Sequence, residues 1–404
     1  MRRKLVAVCS PFPPEKSGIA DYNKRLLGEL CRRHPVETHI VVGGDPATYE
    51  PSDVPQMTLV SVRQFRWLAE HGYYDSIIHC MGNSPFHGYI YDLMKEHPGT
   101  VWLHDIRLTD FYRWYYQRHL GRDISKLPEE LEDWADRYPD HKGDLLLRDN
   151  VIQHQQGIYL AGEVASLAEG LIVGSGYSKE LIQIEGKTEV PVAVIPLAAA
   201  ARNGRPTQED WESLARRYRL SSDKIPIVSV GIVAPTKCPE AIIDAFASVA
   251  SEDNDLVLVF VGPSDDPYMR ELERRATNLA IGERVLFPGY VDEDEFDAWL
   301  AACRCAVQLR FPSNGESSAA ILHCLAAGVP TIVSDHGPLR ELPDEAAIKV
   351  PAQVEPAELA NAMQKIVSNQ ALRLRLRDGA LRYAKTVSME AVADRLWTEV
   401  LCAP

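Results

Sequence analysis

Two short runs in this chain set a cation, small residues and an acid where a charged ligand can be held. The first is Gly231-Ile-Val-Ala-Pro-Thr-Lys237, directly after the β-branched run 227–230. A glycine at a strand end lets a ligand approach the backbone, and a lysine in the following loop can fold back onto phosphate oxygens. A solvated loop cation is the plainer alternative. The second run is Phe311-Pro-Ser-Asn-Gly-Glu-Ser-Ser-Ala-Ala320, which follows the apolar run 305–309 and opens a helical pattern over 316–327. The amino end of a helix offers unpaired amides and the positive end of its dipole. Gly315, Ser317 and Ser318 are small enough for a diphosphate to come close without a metal ion. An ordinary helix cap made by Ser313 or Asn314 is the alternative. A diphosphate would repel Glu316, so this carboxylate suits hydroxyls, such as those of a sugar. As an acid in a first helical turn it is also favoured by the dipole alone.

Other candidates are weaker singly. His104-Asp105 follows the run 100–103 and can reach a substrate hydroxyl or form a structural pair. The loop 10–18, Ser-Pro-Phe-Pro-Pro-Glu-Lys-Ser-Gly, ends at Gly18 and matches neither a dinucleotide fingerprint nor a phosphate-binding Walker loop. Phe111, Tyr112, Trp114, Tyr115 and Tyr116 fall in 107–150, either a surface insertion with aromatic anchors or a wall on which an acceptor sugar stacks. Asp292-Glu-Asp294 looks like a metal-binding pair of acids but heads the helical pattern 293–302, where acids are favoured. No His/Cys cluster has metal-ligand spacing, so no metal is expected.

These runs need strands and helices to hold them. Strands are expected at 5–9, 38–42, 76–80, 100–103, 171–173 and 193–195, with a helix at 19–33. After the small-residue loop 198–207 the alternation restarts, with strands at 227–230, 256–261, 285–287, 305–309, 331–333 and 348–350. Helices are expected between them at 239–250, 267–279, 293–302 and 316–327, and a last one at 389–401. Strand–helix alternation predicts parallel sheets covered on both faces. The domains are set at 1–198 and 199–385, with the segment 386–404 packing back on the first.

Composition narrows the function. With 404 residues, 46% hydrophobic and 25% charged, the chain is globular and long enough for two domains. A net charge of −14 disfavours nucleic acid as a partner. The longest apolar run, 256–261, is far short of a membrane span. Residues 5–9 are too short for a signal core and prolines follow at once, so a cytoplasmic protein is expected. Eight scattered cysteines without Cys-x-x-Cys read as reduced, buried thiols.

Taken in order, the motifs resemble the GT-B fold and the family 4 retaining glycosyltransferases across nearly the whole chain. They are Pro13-Pro-x-x-Ser-Gly18, Gly82-Asn-Ser-Pro-Phe-His87, Leu103-His-Asp105, Gly174-Ser-Gly-Tyr-Ser178, Val194-Ile-Pro196, Gly231 to Lys237, Phe287-Pro-Gly-Tyr290, Gly315-Glu-Ser-Ser with Ala-Ala-Gly-Val-Pro330, and Ser334-Asp-x-Gly337. The resemblance implies two Rossmann-like, doubly wound domains facing a central cleft. It implies a hexosyl transfer from a nucleoside-diphosphate sugar, a UDP- or GDP-sugar, to an acceptor hydroxyl on a soluble saccharide or natural product. The sugar nucleotide is a co-substrate, and no cofactor or metal is implied.

By the same resemblance, Lys237, Glu316 and His104 are the catalytic group. Lys237 neutralises the diphosphate, Glu316 meets the donor sugar and His104 a donor-sugar hydroxyl. Gly18, Gly231, Gly289, Tyr290, Val291, Gly315, Ser317, Ser318 and His323 bind the donor, with 289–291 bordering the base. Asp105, Tyr112 and Trp114 fall to the acceptor. Two positions depart from the family: Ile232 stands where an arginine is usual, and His323 where the second acid of a Glu-x7-Glu pair is usual. On a helix, Glu316 and His323 would share one face. Another GT-B enzyme, an epimerase or phosphorylase, and a non-catalytic sugar-nucleotide-binding protein are the rival readings.

Overall fold

The computed structural model describes residues 2–123, 153–155, 157–185, 189–199, 208–313 and 315–402. Two compact units divide it. The first comprises Met1–Ala198, Asn314–Ser317 and Met389–Pro404; the second comprises Ala199–Ser313 and Ser318–Ser388.

The first unit is built on β1 (Lys4–Cys9), β2 (Val36–Val42), β3 (Met57–Ser61), β4 (Ser76–Met81), β5 (Thr100–Leu103), β6 (Gly170–Val173) and β7 (Val192–Val194). Their order is β3-β2-β1-β4-β5-β6-β7, and every pairing is parallel. β1 sits mid-sheet with Val6, Ala7, Val8 and Cys9 buried, which explains its unbroken apolar run. The helix Gly18–Arg33 buries Ala20, Leu26, Leu27, Leu30 and Cys31 and ends on Arg32 and Arg33, where cations offset the dipole. The helix Met389–Leu396 packs against it. There Arg33 donates twice to Asp394, at 2.9 and 2.7 Å, and His34 contacts the same carboxylate at 2.7 Å. The segment then winds through a π-turn, Trp397–Leu401, rather than continuing as one α-helix.

The second unit is built on β8 (Ile225–Val230), β9 (Leu256–Val261), β10 (Val285–Gly289), β11 (Cys305–Gln308), β12 (Thr331–Ser334) and β13 (Ala347–Val350). The order β10-β9-β8-β11-β12-β13 is again wholly parallel. β9, Leu-Val-Leu-Val-Phe-Val, is buried at every position. Each unit is therefore a doubly wound parallel-sheet α/β domain, as the alternation predicts.

Three expectations are corrected. β3 was not anticipated. It is an edge strand, pairs only with β2, and buries just Met57 and Val60, so its apolar signal is thin. The helix expected over 316–327 runs Ala319–Ala326 instead, with Ser318 as its N-cap in extended backbone. Gly315, at φ +81°, turns the chain out of helical geometry, and its carbonyl accepts the Ser178 hydroxyl at 2.7 Å. Glu316 thus lies before the helix, and the shared face with His323 does not form. The helix stop at Gly328 is as the sequence predicts: Gly328 has φ +68° and Val329 N donates to Cys324 O at 2.9 Å. Lastly, the thiols are not all buried: Cys402 is exposed, and Cys238 and Cys303 are half-buried. Most of the expected insertion 107–150, from residue 124 on, lies outside the described residues, as do 200–207 of the expected boundary loop and the capping candidate Asn314.

Candidate active site

In an open parallel sheet, ligands bind at the carboxyl ends of strands where the strand order reverses. In the second unit that point lies between β8 and β11. The loop leaving β8 carries Gly231 to Lys237, and the loop leaving β11 leads to the helix Ala319–Ala326. Backbone and side chains join them. Phe311 N donates to Thr236 O at 2.9 Å. The buried Gln308 amide, oriented to satisfy both groups, accepts from Val230 N at 2.7 Å and donates to Val230 O at 3.1 Å. From the end of β12, Ser334 Oγ accepts from Arg310 N at 2.9 Å, and His336 Nε2 accepts from Ser313 N at 3.2 Å. Sequence reasoning did not single out Gln308 or His336. The Ser334-Asp-x-Gly337 motif was the only signal for the latter.

On this frame Lys237, Gly231 and the first turn of the helix Ala319–Ala326 converge. Pro235–Lys237 is one turn of 3-10 helix, closed by Lys237 N donating to Ala234 O at 2.8 Å. Gly231 has φ +99°; a Cβ added there would lie 3.7 Å from Lys237 Nζ and 3.4 Å from Ala320 Cβ. The backbone at the strand end, the amine and the helix start therefore share one small volume. Gly262, at φ +149°, lets the next strand end pass bare against it, because a Cβ there would overlap the Gly231 carbonyl. Ser318 gives the helix no side-chain cap, so its first amides, at the positive end of the dipole, are open to another acceptor. A compact ammonium beside such amides suits a multiply charged anion, above all a phosphate.

At the end of β10, Gly289 has φ +76° with open space on its Cβ side, and Tyr290 just beyond is 86% exposed. Val291 is half-buried, and Asp292 then caps the helix Glu293–Ala302 by accepting from Glu295 N at 2.9 Å. The Asp292–Asp294 run is thus helix-start chemistry. His323 packs edge-on against Phe296 of that helix, ring centres 5.5 Å apart.

Gly315, Glu316 and Ser317 group with the first unit. Gly315 approaches Ile106 and Leu181, leaving no space for a side chain. Ser317 lies against Gly174. Glu316 is close enough to His154 to raise its pKa, against a larger lowering by burial. His154 was not anticipated, and no motif marks it.

The carboxyl edge of the first sheet is furnished differently. Gly18 opens its helix with no atom near its Cβ position. Around Gly82 gather Ile19, His87 Nε2 and Asp105 Oδ2. Asp105 accepts from Asn83 N at 2.9 Å. Asn83 in turn donates to Asp110 at 3.1 Å and accepts from Phe111 N at 2.8 Å. His104 stacks on Trp102, centres 5.1 Å apart, and its Nε2 is buried with no hydrogen-bond partner among the described residues. Burial, then the neighbouring His87, pushes its pKa down to about 3. Burial likewise pushes His87 to about 4, although its Nδ1 contacts Cys80 O at 3.0 Å. Both imidazoles are neutral near pH 7.

The two aromatic candidates are not side by side on a surface. Tyr112 is fully buried in the core with Tyr91 and Phe111, so no face remains for a sugar to stack on. Its position in a short helix, Thr109–Trp114, turns it inward. Trp114 is half-buried and covers Gly88, whose missing side chain makes room for the indole.

Among the described residues, no three His, Cys, Asp or Glu side chains are grouped to hold a metal ion. No described helix is long and apolar enough to cross a membrane.

Comparison with known proteins agrees with this architecture. Residues 211–382 match the family described as glycosyl transferases group 1. The chain is 26% identical over 249 residues to a D-inositol 3-phosphate glycosyltransferase of Thermomonospora curvata, covering 58% of this chain and 57% of that protein. It is 27% identical over 197 residues to an alpha-monoglucosyldiacylglycerol synthase of Streptococcus pneumoniae, covering 48% and 42%. The chain thus spans about half the length of these curated relatives. Over full lengths it superposes on sucrose-phosphate synthase from Thermosynechococcus elongatus with a TM-score of 0.67 at 16% identity, covering 100% of both chains. Anabaena Alr3699/HepE, solved in complex with UDP, gives 0.65 at 16% identity, with 99% and 100% covered. The chain has the GT-B fold, and residues 211–382, within which Lys237 and its helix lie, match the group 1 glycosyl transferases.

Proposed function

We propose that this protein is a retaining glycosyltransferase that moves a hexosyl group from a nucleoside-diphosphate sugar to an acceptor hydroxyl. The convergence of Lys237 Nζ, Gly231 and Ala320 carries the reading, because it joins an amine, bare backbone and a helix amino end within one unit. Complexes of a structural neighbour, Anabaena Alr3699/HepE, with UDP and with UDP-glucose support a uridine donor. A guanosine donor remains the other arm of the test.

In this mechanism the bond between sugar and diphosphate stretches toward an oxocarbenium-like state. Charge grows on the leaving diphosphate, and Lys237 with the amides near Ser318 stabilises it. Such fixed donors are worth about 3 kcal/mol each when aimed at developing charge. The acceptor hydroxyl attacks the anomeric carbon from the face the leaving group departs. Its proton passes to a phosphate oxygen of that group, so configuration is kept. Glu316 holds donor-sugar hydroxyls. The reaction needs neither a metal nor a protein nucleophile, since ammonium and amides supply the positive charge.

Ile232, which is 65% exposed at the head of the lysine loop, favours a second reading, a protein that binds the sugar nucleotide without transferring it. One experiment tests both. The protein is screened by thermal shift against UDP- and GDP-sugars, and the best donor is incubated with saccharide acceptors in EDTA. A glycoside with the donor's anomeric configuration supports transfer. Stabilisation without any product supports the second reading, and no stabilisation by any sugar nucleotide rejects both.

A further inference from the structure

At the amino edge of the second sheet, opposite the edge that carries Lys237, a half-open groove of about 590 Å³ lies between helix carboxyl ends and the helix Gln370–Thr386. Pockets of this size take small organic ligands. One face of that helix, Arg373, Leu374, Arg377 and Leu381, follows helical spacing into the groove, and Arg304 faces it from the residue before β11. Cations and apolar groups therefore alternate along one wall.

The charge here is unusual for an acidic chain. Among the lining residues Asp297 alone is acidic, against three arginines. Arg373 donates to Ile366 O at 2.8 Å and Val367 O at 2.7 Å, so it caps carbonyls at a helix end. Arg304 and Arg377 have no such task. Their guanidiniums make no hydrogen bond or ion pair among the described residues, and both are half-buried. Burial first, then the like charge of Arg304, lowers the Arg373 pKa, which shows the two cations acting on each other. Holding like charges together in a concave, partly dry site is unfavourable until an anion joins them. Beside them Leu374 is 53% exposed, and Gly328 lets Arg377 and Leu381 close on the floor, within 3.1 and 3.2 Å of its Cβ position.

We propose that this groove binds a small amphiphilic anion, a phosphate monoester carrying a short hydrocarbon chain, with the phosphate between Arg304 and Arg377 and the chain along Leu374 and Leu381. The shared chemistry is an alkyl phosphate, whether free in solution or as a lipid headgroup. The site is separate from the lysine loop and does not depend on the transferase reading.

The test is calorimetric titration of the full chain with n-octyl phosphate, alongside inorganic phosphate. One site is expected, with inorganic phosphate at least tenfold weaker. Arg304→Gln with Arg377→Gln should weaken octyl phosphate at least tenfold without changing the circular dichroism spectrum, and Leu374→Ser should weaken it several-fold. Lys237→Ala should leave it unchanged. Sedimentation with phosphatidylcholine vesicles containing phosphatidic acid, whose headgroup is a phosphate monoester, separates the sources. Binding lost in the double arginine variant marks a lipid headgroup, and no vesicle binding marks a soluble ester. The proposal is overturned if octyl phosphate does not bind, binds the double variant equally well, binds no better than inorganic phosphate, or is lost in Lys237→Ala.

Discussion

At the switch point of the first sheet, Gly82 is hemmed in by Ile19, His87 and Asp105; at that of the second, Gly231 looks onto an amine and the start of a helix. Both sheets are wholly parallel and reverse order beside their first strand. The topology delivers the same kind of edge twice, and a handful of side chains then sets its charge. Burial keeps the first edge's imidazoles neutral, which suits hydroxyl groups. The second edge offers an ammonium and helix amides, which suit phosphate. A parallel sheet therefore specifies where a ligand sits, and the loops specify what it is.

The largest expected effect probes the neutral histidines of the first unit. His87 and His104 are held at about 4 and about 3, chiefly by burial. The unfolded chain takes up protons near pH 6.5, whereas the folded unit does not, so stability falls as the pH drops from about 6.5 toward 4. Each histidine contributes up to about 1.4 kcal/mol per pH unit, or about 4 kcal/mol for the pair at pH 5. Urea midpoints at pH 7 and pH 5 measure this. Equal midpoints would mean that the imidazoles are charged in the fold and that the contrast between the edges is not one of charge.

Next in size is Lys237→Ala. Turnover of the sugar nucleotide should fall about a hundredfold, near 3 kcal/mol, with the fold intact. Activity within threefold of the parent would take the amine out of the reaction. A smaller loss, about tenfold in UDP affinity by calorimetry, is expected for Gly231→Ala. Its φ of +99° strains any side chain, and the added methyl would sit 3.7 Å from the Lys237 amine. The same change at Gly72, which is also left-handed (φ +68°) but has nothing within 4 Å, should leave UDP affinity alone; equal losses at both would erase the distinction. Smallest is Tyr290→Ala. This exposed side chain should alter stability by less than about 0.5 kcal/mol and raise the donor KM about threefold. No change in KM would remove it from the border of the base.

The parts of the fold that read clearly from sequence are those where one physical cause dominates. β1 and β9 lie mid-sheet, buried on both faces, and their unbroken apolar runs could hardly be anything else. β3 lies on an edge, half its residues meet water, and it passed unnoticed. The sequence pattern starts the helix after β11 too early, at 316 with Ser313 or Asn314 as its cap, whereas Ser318 is its N-cap. The choice among them falls to Gly315, whose left-handed backbone is fixed by contacts distant in sequence, with Ile106 and Ser178. The resemblance assigns Tyr112 and Trp114 to the acceptor, but aromatic composition does not distinguish a ring that greets a ligand from one that fills a core, as Tyr112 does. Glu185 gave no signal either. Yet its carboxylate accepts from the amides of Tyr159, Leu160, Ala161 and Gly162, holding a segment that precedes it by more than twenty residues. Such long-range satisfaction of backbone donors is invisible to any local pattern.

The docking of Met389–Leu396 on Gly18–Arg33 carries a cost during synthesis. The ribosome makes roughly 190 residues between the end of the first long segment of that unit and the return of this helix, about 10–40 s of translation. Throughout that interval one face of an early helix waits without its cover. A nascent chain stalled before residue 389 should therefore recruit holding chaperones, while one released with its tail should not.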